Sequence, residues 1–205
     1  MSRSSGFWNL IAPMYAKQAV SDQASYARKL AETQALMRPD MNVLDFGCGT
    51  GSTALTHAPH VGQITGIDYS HKMIAIAQEK IGSVPNLSFH VSTLTDWDAP
   101  DGSYDMILGL NILHLMPDYQ DALAKAHRLL KPGGYLVTST VCMGDFAGVL
   151  KYLLPVLSSL RITPVIAMFS TDKLQADIKA AGFTKNDSWQ PDPKGAVFQI
   201  SQKPI

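Results

Sequence analysis

The sequence predicts an α/β domain: a three-layer, doubly wound, mostly parallel seven-stranded sheet that ends in an antiparallel hairpin. Three observations lead there. Short apolar runs alternate with segments of helical spacing through the central two thirds of the chain, which implies right-handed crossovers and helices on both faces of the sheet. A glycine-rich turn, Gly47-Cys48-Gly49-Thr50-Gly51, follows the first apolar run. Two late runs, separated by a short linker holding Pro191, Pro193 and Gly195, read as an antiparallel pair.

Taken in order, residues 7–38 read as helical, with the aromatics Phe7, Trp8, Tyr15 and Tyr26 early and a stop at Arg38-Pro39, because the residue before a proline is pushed out of the helical region. Residues 42–46, 63–67, 87–91, 104–108 and 134–139 read as buried strands. Ser70 is placed to cap a helix with Met73, Ile74, Ala77 and Ile81 on one face. A second helix runs from about Asp118 to Leu130, and Lys131-Pro132-Gly133-Gly134 is expected to stop it with a left-handed glycine cap. Ser170 or Thr171 opens a last helix with Leu174, Ile178 and Ala181 inward, closed by Gly182; strands at 183–189 and 196–200 follow.

A chain of 205 residues fits one domain over 1–205. Seventeen basic and seventeen acidic side chains cancel, while 46% of residues are hydrophobic and 17% charged, so charge-driven disorder is excluded and nucleic acid is an unexpected partner. The two cysteines, Cys48 and Cys142, cannot build a disulfide scaffold, and the first residues lack the apolar core of a signal peptide, so a cytoplasmic location is expected. Residues 146–169 are apolar but broken by Lys151, Pro155, Arg161 and Pro164, which excludes a transmembrane segment. They read either as a helix packed on the domain or as an apolar lid.

The glycine turn lets the backbone approach a ligand and adopt positive φ. Asp68 lies 21 residues beyond Gly47, at the end of the second strand, where a carboxylate accepts hydrogen bonds from both hydroxyls of a ribose. Together they point to a nucleotide-type ligand. A dinucleotide loop reads G-x-G-x-x-G, whereas here Ser52 stands where the third glycine would be. A nicotinamide-dependent oxidoreductase shares the fold and the acidic ribose contact, and a non-catalytic binding module would keep the pocket; both stay open on these residues alone.

Asp45-Phe46-Gly47-Cys48-Gly49-Thr50-Gly51 resembles the first motif of the class I S-adenosylmethionine-dependent methyltransferases. The resemblance continues through Asp68, Tyr104-Asp105 and Leu129-Leu130-Lys131-Pro132-Gly133-Gly134, covering roughly residues 7–140. It implies S-adenosyl-L-methionine as cofactor and S-adenosyl-L-homocysteine as product. The motif acid Asp45 and Cys48 would be cofactor-binding, the backbone around Gly47, Gly49 and Gly51 would lie at the methionine part, Asp68 at the ribose, and Tyr69 and Met73 on the adenine. Where many relatives carry an acid after the third strand, Val91-Ser92-Thr93-Leu94 stands instead, so Thr93 and Leu94 would meet the adenine mainly through a hydroxyl and main chain. Asn111 would sit nearest the sulfonium, and Tyr15 and then Tyr26 would close an N-terminal lid over residues 1–38.

In-line methyl transfer needs alignment and exclusion of water more than a constellation of catalytic groups. Three residues are assigned catalytic roles: His114 as general base, with Asn111 and Tyr15 beside it. The alternative for His114 is a hydrogen-bonded histidine at a helix start, and His57, His60, His71 and His90 show no spacing for a metal. The insertion at 142–170 is apolar, which implies a small, rather hydrophobic acceptor under a lid of Phe146, Leu150, Leu153, Leu154, Met168 and Phe169. The same surface would otherwise serve a homodimer or shallow membrane docking.

Overall fold

The computed structural model describes residues 5–145, 166–192 and 195–205. Two helices, α1 (Ser5–Tyr15) and α2 (Gln23–Gln34), precede the sheet. The single helical stretch expected over 7–38 is therefore corrected. The chain breaks between the two helices because Asp22 starts a new one, its carboxylate accepting from the Ser25 amide at 3.0 Å.

Seven strands follow: β1 (Asn42–Phe46), β2 (Gln63–Asp68), β3 (Leu87–Val91), β4 (Tyr104–Leu110), β5 (Leu130–Thr140), β6 (Lys185–Trp189) and β7 (Val197–Gln202). Their order is β3-β2-β1-β4-β5-β7-β6. All neighbours from β3 to β5 pair in parallel, and β7 runs antiparallel to both β5 and β6, so β7 alone is reversed. The helices between them are α3 (Ser52–His57), α4 (His71–Ile81), α5 (Tyr119–Leu129) and α6 (Thr171–Ala180). Ser70 caps α4 by accepting from the Met73 amide, and Ser170 caps α6 by accepting from the Lys173 amide. The glycine cap expected after α5 is replaced by an earlier stop: Leu130 turns extended, at φ −73° and ψ 141°, and begins β5 four residues before the expected strand.

Alternation along the strands divides the core into two faces. Leu44, Phe46, Ile107 and Leu136 pack with Leu123 and Ala126 of α5 and Leu174 and Ile178 of α6. On the opposite face Val43, Ile64, Met106, Leu108 and Val137 pack with Ala54 of α3 and Ile74 and Ala77 of α4. Each buried Val, Leu, Ile, Met or Phe among these contributes about 1.5–3 kcal/mol, and each alanine methyl less. Asp105 ties the central strands together, accepting from the Asn42 amide at 2.8 Å and pairing with Lys131 at 2.8 Å. The sheet order reverses between β1 and β4, and in open α/β sheets ligands bind beyond the carboxyl ends of the strands at that switch point.

Phe169, expected in the lid, is 4% exposed and belongs to the core, its ring 4.4 Å from that of Tyr119. Met168 beside it is exposed, and Phe146, Leu150, Leu153 and Leu154 lie outside the described residues. No helix among the described residues is long and apolar enough to cross a membrane.

Candidate active site

A cleft of about 620 Å³ opens at the switch point, a volume usual for small-molecule sites. Its floor is the end of β1 with the glycine loop, the end of β4 and the end of β5; its roof is α2 and the 16–22 break. The loop is shaped by main-chain bonds. The amides of Gly47 and Cys48 both donate to the Ile67 carbonyl, at 2.8 and 3.1 Å, and the Gly51 amide donates to the Cys48 carbonyl at 3.0 Å. Gly51 has φ +75°, and a Cβ there would fall 2.4 Å from the Phe89 ring. Gly49 differs: at φ +55° its Cβ would meet only the Tyr15 ring, at 3.8 Å, so the space above it belongs to the cleft rather than to packing.

Lys80 of α4 holds this loop from behind. Its ammonium donates to the Thr50 carbonyl at 3.1 Å, the Thr50 hydroxyl at 3.0 Å and the Ser52 hydroxyl at 3.1 Å, using all three protons.

The two acids expected at the site behave differently. Asp68 accepts from the Gly49 amide at 3.1 Å and the Ser70 amide at 2.8 Å. Burial raises its pKa, and those two bonds oppose the rise. Asp45 lines the cleft and is 2% exposed, and its carboxylate accepts no hydrogen bond from any described residue. Burial first, and then the nearby charge of Asp68, pushes its carboxyl up to about 7. A carboxyl so placed favours a cation in the cleft. Cys48 lines the same cleft, its thiol pushed well up by burial and by the two acids, which leaves it a neutral filler.

The expected residues fall into two groups. Tyr15, Tyr26, Asp45, Gly47, Cys48, Gly49 and Asn111 converge on the cleft. Tyr26 reaches Thr53 of α3, hydroxyl to hydroxyl, at 3.5 Å. Asn111, directly after β4, takes φ +58°, its amide donating to the Ser139 carbonyl at 2.7 Å; a left-handed asparagine is the kind of local strain that marks functional turns.

Gly51, Asp68, Tyr69, Met73, Thr93 and Leu94 do not line it. They lie on the β2–β3 side, where α1 packs on α4 through Asn9, whose side-chain oxygen accepts from the Ser70 hydroxyl at 2.7 Å. Met73 and Leu94 are buried there, burial raises the Tyr69 pKa, and the Thr93 hydroxyl donates to Asp96 at 2.8 Å. An acid is thus present after β3, three residues beyond Thr93.

His114 also lies off the cleft. It sits in a single 3-10 turn, Leu113–Leu115, with its carbonyl accepting from the Ala167 amide at 2.8 Å, and its Nδ1 has no partner among the described residues. Burial lowers its pKa to about 4. His57, buried and without a partner on either ring nitrogen among the described residues, borders the cleft and is likewise lowered to about 4, by burial and then by His60.

A polar chain in the cleft and a brace behind it are invisible to motif spacing. Lys29 of α2 donates to the Ser139 hydroxyl at 3.0 Å, and that hydroxyl donates to the Asn111 side-chain oxygen at 3.4 Å. Trp189 of β6 donates from its indole to Glu32 of α2 at 2.7 Å, with the Arg28 guanidinium 4.0 Å above its ring, fixing the helix that carries Lys29.

Residues 43–134 match a family described as "Methyltransferase domain". The demethylmenaquinone methyltransferase of Tropheryma whipplei (strain Twist) is 33% identical over 171 residues, which are 76% of this chain and 71% of that protein. Across the first curated relatives the chain spans from 39% to 71% of their lengths. The crystal structure of the [4+2]-cyclase SpnF superposes with a TM-score of 0.78 at 20% identity, covering 98% of this chain and 95% of that one. A phosphoethanolamine N-methyltransferase 2 of Haemonchus contortus, solved with S-adenosylhomocysteine, gives 0.74 at 16% identity, covering 88% and 53%. With an open loop at Gly49, acids at Asp45 and Asp68, and a relative one third identical over most of its length, the chain belongs to the class I S-adenosylmethionine-dependent methyltransferases.

Proposed function

We propose that the chain transfers a methyl group in line from S-adenosylmethionine to a small, largely apolar acceptor lying in the cleft beside Asn111. The observation that carries this reading is Asp45: a buried carboxyl without a hydrogen-bond partner among the described residues, facing a cleft whose other wall is the glycine loop. A cationic ligand answers it. S-adenosylmethionine supplies an ammonium and a methyl group on a positively charged sulfur. Asp45 would hold the ammonium, the backbone at Gly47 and Gly49 would accommodate the methionine chain, and Asp68 would exchange its backbone partners for ribose hydroxyls. Tyr15, whose phenol stays protonated because burial and then the Asp68 charge raise its pKa, would close over Gly49 and exclude water.

Apolar lining from Ala19, Val20, Leu30 and Leu110 supports an apolar acceptor, as do relatives named demethylmenaquinone methyltransferases. His114 contributes no proton transfer in this reading, because it lies off the cleft and is too weak a base at about 4. The acceptor must then bring a nucleophile that is already ionised or needs no deprotonation.

The test is label transfer from methyl-tritiated S-adenosylmethionine to a panel of quinols, phenols and apolar carboxylates. Label in the apolar members supports the reading. Transfer only to polar, multiply charged acceptors would refute the apolar pocket, and cofactor binding without transfer to any member would leave a binding module.

A further inference from the structure

We propose that Lys29, oriented by the Ser139 hydroxyl, forms an oxyanion subsite in the cleft, its two remaining ammonium protons holding an acidic oxygen of the methyl acceptor, a carboxylate or an ionised phenol or enol, next to Asn111. The inference deepens the methyl-transfer reading and rests on it.

Lys29 is the sole Lys or Arg among the described residues lining the cleft. It enters the cleft from the second turn of α2, and no described carboxylate lies within ion-pair distance of its ammonium. The acid with most influence on it, Asp22, has its carboxylate committed to the cap of α2 through Ser25. Asp45 and Asp192 also border the cleft. Of the three ammonium protons one goes to the Ser139 hydroxyl, so two remain for a ligand. Burial lowers the Lys29 pKa and the charge of Asp22 opposes the fall without cancelling it, the cost expected of a cation half withdrawn from water without a close ion-pair partner. An anionic ligand would relieve that cost.

The sheet order says whose oxygen this is. Asp68 ends β2, Asp45 lies near the end of the neighbouring β1, Asn111 follows β4, and Ser139 lies on β5, the next strand outward. Two strand spacings separate β1 from β5, roughly 9–10 Å, and the Lys29 ammonium leans further outward, 5.9 Å from the Trp189 ring of β6. Lys29 therefore stands on the far side of Asn111 from the ribose acid, where the acceptor enters rather than where the cofactor's own carboxylate lies. The arrangement also explains the missing base: an ammonium beside a bound phenol or enol stabilises its ionised form, so the acceptor's proton is lost to solvent before transfer, the ionised acceptor forms the new bond to the methyl carbon as the sulfur–methyl bond breaks, and neutral S-adenosylhomocysteine leaves.

The experiment compares wild type, Lys29→Met and Lys29→Arg, each saturated with S-adenosylhomocysteine, in calorimetric titrations with two pairs of probes. One pair is 2-naphthoate against 2-naphthamide; the other is 4-nitrophenol, titrated at a pH where it is ionised, against nitrobenzene. The wild type is expected to favour at least one anion over its neutral partner by tenfold or more, the preference to vanish in Lys29→Met and to survive in Lys29→Arg, and S-adenosylhomocysteine affinity to change less than twofold. The pair that shows the preference identifies the oxygen as carboxylate or phenolate. Equal binding within both pairs, no binding of any probe, or a preference that persists in Lys29→Met overturns the subsite. A tenfold loss of S-adenosylhomocysteine affinity in Lys29→Met also overturns it, by giving Lys29 to the cofactor. If the wild type binds no S-adenosylhomocysteine, the methyl-transfer reading fails by itself, and the probe comparison on the protein alone still decides the subsite.

Discussion

The amide of Gly49 donates to the Asp68 carboxylate at 3.1 Å, so the glycine loop is fastened directly to the acid that ends β2. The bond couples the two halves of the nucleotide signature. Asp68→Ala removes both this bond and the ribose partner, and S-adenosylhomocysteine affinity should fall by about 1.5–3 kcal/mol, roughly 10- to 150-fold. Asp68→Asn keeps one acceptor oxygen and should fall between. Calorimetry on the three proteins checks the order.

Two glycines of the loop should fail in different ways. Gly51→Ala places a methyl 2.4 Å from the Phe89 ring and 2.9 Å from Ala77 at a positive φ, and should reduce stability by several kcal/mol, on the order of an overpacked core. Gly49→Ala meets only the Tyr15 ring, at 3.8 Å, so it should cost about 1–2 kcal/mol of backbone strain while removing most cofactor affinity. Thermal denaturation and ligand titration, run side by side, separate the two outcomes.

Asp45 makes stability and binding depend on pH in opposite directions. Its usual value of 3.8 is raised to about 7 in the folded chain. Between those values the folded protein keeps a proton that the unfolded chain has released, so this group's contribution to stability declines as pH rises from 4 to 7. His57 and His114, lowered from 6.5 to about 4, act in the opposite sense, removing stability as pH falls through that window. The diagnostic quantity is therefore the difference between wild type and Asp45→Asn, whose melting temperatures should converge toward pH 4 and separate toward pH 8, the variant being the more stable. Affinity for S-adenosylmethionine should instead rise from pH 5.5 to 8 in the wild type, as Asp45 ionises, and stay flat in Asp45→Asn.

Trp189→Phe keeps an aromatic ring beneath Arg28 but deletes the indole donor to Glu32. With Glu32 one third exposed, the loss should be about 1 kcal/mol, or roughly 2–4 °C in melting temperature for a domain of this size. Because Trp189 braces the helix that carries Lys29, acceptor KM should rise while cofactor affinity holds. A fall in cofactor affinity of the same size would place this brace elsewhere.

Local chemistry was legible from the sequence, and long-range pairing was not. Ser70 and Ser170 cap their helices as their positions suggest, and the run from Asp45 to Gly51 forms the expected turn. Helical periodicity ran through residues 16–22 because nothing in spacing reveals that Asp22 will cap a new helix. Lys29 and Ser139 are 110 residues apart, and Glu32 and Trp189 are 157 apart, so only the closed sheet brings them together. Phe169 looked like lid because it is apolar and follows an apolar run; its place against Tyr119 depends on the packing of α5 and α6.

The central claim, that this cleft takes S-adenosylmethionine, is tested most directly by calorimetric titration of the intact chain with S-adenosylmethionine, S-adenosylhomocysteine and NAD. Single-site binding of the first two with no detectable heat from NAD is the predicted result. Binding of NAD without S-adenosylmethionine, or of none of the three, would contradict it.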